Sequence, residues 1–72
     1  MSKYSVARAA IVDAMATAGR EGLSAGDTIE ALVIMAIQDS VKLRGAPATR
    51  ACLDFELANI AGTADFDFVR SR

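Results

Sequence analysis

Histidine and tryptophan are absent from this chain, and cysteine and proline each occur once. Without histidine, the commonest general base, a nucleophile has no ordinary activating partner. A single cysteine, Cys52, rules out an internal disulfide, and a zinc site lacks its usual ligands. Cys52 stands between Ala51 and Leu53 in a helical stretch. That setting predicts a small buried apolar residue rather than a reactive thiol. The carboxylates are scattered. Asp54 and Glu56 are two apart on a helix, point to different faces, and share neither a proton nor a metal. Gly19, Gly22 and Gly26 follow a helical pattern rather than a strand and match no phosphate-binding fingerprint. The reading therefore assigns no catalytic residue, no cofactor and no metal ligand.

Charge of one sign is also lacking. Eight basic residues face nine acidic ones, for a net charge of −1 and a pI of about 5.1. A dedicated nucleic-acid binder ordinarily carries a clear basic excess. Long apolar runs are missing too. Ala31 to Ile37, without a polar side chain, falls far short of the ~20 residues a membrane span needs. The start, MSKYSVARAAIVDAMATAG, has the basic and small residues of a signal peptide, but Arg8 and Asp13 break any apolar segment. The expectation is a reduced, cytoplasmic setting with no membrane.

What the chain has is apolar surface. Hydrophobic residues make up 53% of the 72, and mean hydropathy is +0.29. This is one domain near the lower limit of what folds unaided, and such domains often add a staple or a partner. No staple is present here, so the apolar surplus points to a partner, with a second copy among the candidates.

The organising stretch is Ile29 to Val41. At 100° per residue, Ile29, Leu32, Val33, Ala36 and Ile37 form one apolar stripe. Ala31, Ile34 and Met35 lie on the opposite side, flanked by Gln38 and Lys42. A helix apolar on two sides must be covered on both. Before it, helix 1 runs from about Lys3 to Glu21, with Tyr4, Ala7, Ile11, Ala14, Met15 and Ala18 on one face. Arg20-Glu21-Gly22-Leu23 reads as a helix stop: a glycine able to turn left-handed, then an apolar residue closing over the last turn. Gly19 is a second candidate stop. Ser24 with Asp27 three residues on reads as the cap of helix 2, preferred over Asp27 with Glu30 because it uses Leu23 as a staple. Helix 2 then extends to Arg44 and stops at Gly45.

Pro47 suits the first turn of helix 3, which is expected over Pro47 to Ala61 with Gly62 as its stop. Leu53, Leu57 and Ile60 form its core stripe; Ala51, Phe55 and Ala58 form a second face. The tail, Thr63 to Arg72, alternates polar and apolar around Phe66 and Phe68 in a strand-like way, with no second strand to pair with. The bland reading folds these phenylalanines back over the bundle; the functional reading makes them a docking peptide.

The expected fold is all-α: a three-helix up-down-up bundle over residues 1–62, a C-terminal tail over 63–72, and a homodimer as an open alternative. Its core would gather Leu32, Val33, Ala36, Ile37, Leu53, Leu57 and Ile60 with Ile11 and Met15. The expected function is a non-catalytic protein-interaction module, a regulator or inhibitor acting on a larger protein complex. Its partner or dimer interface would use Ala31, Ile34, Met35, Phe55, Phe66 and Phe68. The alternative is a nucleic-acid-binding regulator using Lys42, Arg44 and Arg50. Arg50, in the first turn of helix 3, is the best single pointer to an anion, because a base there opposes the helix dipole. A helix-turn-helix use of helix 3 is disfavoured, since Asp54 and Glu56 would face the phosphates.

Overall fold

The computed structural model describes the backbone of residues 1–71 and the side chains of residues 1–60. It is all-helical: α1 spans Lys3–Arg20, α2 spans Ala25–Arg44 and α3 spans Ala46–Ser71, with no strand among the described residues. The chain divides into two compact units, Met1–Gln38 and Asp39–Arg72.

In the first unit, local chemistry sets every helix end. The Ser2 hydroxyl accepts from the Ser5 amide at 3.1 Å and caps α1. At the other end, the Leu23 N–H donates to the Ala18 carbonyl at 2.9 Å, and the Gly22 N–H donates to the Gly19 carbonyl at 3.2 Å. This pair of bonds satisfies carbonyls that the helix would leave bare, and it requires the left-handed turn that Gly22 makes at φ 78°. Gly19 does not stop the helix. Two residues on, the Ser24 hydroxyl accepts from the Asp27 amide at 3.1 Å, so Ser24 rather than Asp27 is the cap of α2. The least exposed face of α1 is Ile11, Ala14, Met15 and Ala18, at helical spacing, and only Ala18 is buried.

The second unit holds the last turns of α2 and all of α3. A single residue, Gly45, joins the two helices at φ 91°. Its N–H donates to the Val41 carbonyl, and its carbonyl accepts from the Thr49 amide, so the ladder of each helix ends on this one residue. Pro47 sits in the first turn of α3, where an amide proton is not needed. The helix then continues through Gly62 to Ser71, past its expected stop. A lone glycine in a helix costs about 1 kcal/mol relative to alanine, too little to end one when no proline or cap follows. Alternation over five residues is too short to overrule helix for the stretch expected to be strand-like.

Among the described residues, none of those expected in the core is buried. Val33, Ala36, Leu57 and Ile60 are exposed, Leu57 at 59%, and Ile11, Met15, Leu32, Ile37 and Leu53 are only half-buried. Ala18 is the one buried hydrophobic residue among those described. Helical periodicity identifies a face that wants covering, but it does not supply the cover. A chain this short and rich in alanine has little side-chain volume to bury its larger residues. Cys52 is likewise exposed rather than buried.

Candidate protein interface

The expected interface residues fall in both units. On α2, Ala31, Ile34 and Met35 sit at i, i+3 and i+4 and share one face, and all three are exposed, Ile34 at 48% and Met35 at 55%. Phe55 is on α3 in the second unit and is 65% exposed. The side chains of Phe66 and Phe68 lie outside the described residues. The structure therefore places the trio on one face of α2, and Phe55 is exposed on α3 in the other unit.

A feature the sequence reading missed adjoins the trio. Leu23, Asp27, Thr28 and Ala31 line an open groove of about 300 Å³ on the first unit. Its floor is apolar because Leu23, set by the turn at Gly22, stands beside the first turns of α2. Leu23 was legible as the apolar residue before a cap. That it would help line a groove rather than close one was not.

The basic residues behave less like a site. Lys42 and Arg44 close the last turn of α2 and are exposed, as expected for cations at the negative end of a helix dipole. Arg50 Nε stands 3.7 Å from Asp54 Oδ2 one turn along the same helix. Both side chains are largely exposed, so this pair contributes a few tenths of a kcal/mol at most. It nevertheless places a carboxylate beside the cation that an incoming phosphate would need.

Among the described residues, no helix is long and apolar enough to cross a membrane. Among the described residues, no three Cys, Asp or Glu side chains group so as to hold a metal ion. The single buried polar side chain, Thr49, is satisfied: its hydroxyl donates to the Gly45 carbonyl at 2.9 Å and lies 2.7 Å from Ser40 Oγ. The chain matches no protein-family model, and comparison with curated proteins and with solved structures returns no match.

Proposed function

We propose that this chain is a non-catalytic protein-interaction module, a small regulator that acts by laying its helices against other protein. One observation carries the reading. Large apolar side chains on all three helices, among them Val12, Met35 and Phe55, are more than half exposed, and Ala18 alone among described hydrophobic residues is buried. Exposed apolar surface on this scale is characteristic of a surface meant to be covered. The up-down-up order of the helices belongs to the same proposal and is supported by the short links between them, residues 21–24 and Gly45.

The experiment is cross-linking and capture of the full chain from its own cell extract, run beside Ile34→Glu and Phe55→Glu variants. The proposal expects a defined protein partner that the variants lose. Equal recovery with parent and variants would overturn it.

A nucleic-acid-binding regulator is the second reading, favoured by the exposure of Lys42, Arg44 and Arg50 within one unit. It expects salt-dependent retention on DNA that weakens on Arg50→Ala. The net charge of −1 and the Asp54 carboxylate beside Arg50 weigh against it.

A further inference from the structure

We propose that the occupant of the exposed α2 face is α2 of a second copy of this chain, packed antiparallel across a two-fold axis between Ile34 and Met35. This rests on the interaction-module reading and names its partner.

The first support is the small overall charge. A net charge of −1 offers little repulsion between copies.

The second support is the charge pattern of the stripe. α2 spans residues 25–44, so its midpoint falls between Ile34 and Met35. An antiparallel partner centred there sets residue 27 level with residue 42 of the second copy, and residue 31 level with residue 38. Asp27 thus meets Lys42 at both ends of the pair, and Ala31 meets Gln38. At the centre, Ile34 and Met35 lie on either side of the axis, and each packs against its own copy. Glu30 and Asp39, the remaining acids of α2, lie on opposite flanks of the stripe and do not meet. Asp27, Ala31, Ile34, Met35, Gln38 and Lys42 are all exposed in the single chain. A parallel pairing would instead set each charge against its own copy.

The test is sedimentation equilibrium of the full chain at tens of micromolar, with variants. The parent should sediment as a dimer. Met35→Glu should sediment as a monomer. Asp27→Lys and Lys42→Asp, which change only exposed residues, should each weaken self-association about tenfold, because symmetry repeats the repulsion twice. Mixed together, those two variants should pair with each other about as well as the parent pairs with itself, since both ion pairs are restored in the mixed dimer. Helical content by circular dichroism confirms that each variant is folded. A monomeric parent overturns the inference, as does a dimer whose charge variants show no preference for each other. A monomeric parent that still captures a different protein ends this inference and leaves the interaction-module reading standing; one that captures nothing ends both.

Discussion

Ser40 Oγ lies 2.7 Å from Thr49 Oγ1, and this contact ties the last turns of α2 to the first turn of α3. Thr49 has one hydroxyl proton and gives it to the Gly45 carbonyl at 2.9 Å. Ser40 must therefore be the donor between the two hydroxyls. Thr49 is 4% exposed, so its oxygen has no water to replace a lost partner.

Removing either hydroxyl should loosen this corner, but unequally. Ser40→Ala removes one bond and leaves Thr49 donating to Gly45, at a cost of about 0.5–1 kcal/mol. Thr49→Val removes both bonds and leaves Ser40 without its acceptor, at about 1–2 kcal/mol. Urea unfolding of the two single variants and the double variant measures the coupling. If the double variant loses the full sum of the singles, the two hydroxyls are not bonded.

The glycines divide by backbone conformation rather than by space. A Cβ would meet nothing within 4 Å at Gly19 or at Gly22. Gly22 has φ 78° and Gly19 is helical, so Gly22→Ala should destabilise by about 1 kcal/mol while Gly19→Ala should stabilise by about 0.5–1 kcal/mol. Opposite shifts in thermal midpoint are the expected result. Equal shifts would place the end of α1 at Gly19.

Ser24 caps α2 through the Asp27 amide. Ser24→Ala should lower stability by about 1 kcal/mol, and Ser24→Gly by only a few tenths. Far-ultraviolet circular dichroism against temperature checks the order. A neutral Ser24→Ala would mean that the helix starts at Asp27.

These ends were legible in the sequence because capping is local: Gly22, Ser24 and Gly45 each act within a few residues of themselves. The end of α3 was not, because Gly62 opposes the helix by only about 1 kcal/mol and the residues around it decide. Burial was the least legible. The spacing of Leu53, Leu57 and Ile60 predicted a core stripe, but Leu57 and Ile60 are exposed, because periodicity cannot say whether a face is covered within the chain. Within the candidate site, the shared face of Ala31, Ile34 and Met35 follows from spacing alone, whereas the groove beside Leu23 depends on the backbone turn that places it. The Arg50–Asp54 pair was within reach of sequence reasoning, since i, i+4 spacing is visible there.

Cys52 offers a chemical probe of the second unit. Its exposure predicts that a thiol reagent labels the native chain nearly as fast as the urea-unfolded chain. Strong protection would show that this part of α3 is covered in solution, and the degree of protection should then fall on dilution.

On the proposed function, the apolar faces of these helices are covered by other protein, and in the isolated chain by its own copy. Thermal unfolding followed by circular dichroism over about a hundredfold range of protein concentration tests it most directly, since association couples stability to concentration. The midpoint should rise steadily with concentration, and Met35→Glu should abolish the dependence. A sharp, cooperative transition at one temperature across the whole range would contradict the claim, because it would require a core within the single chain.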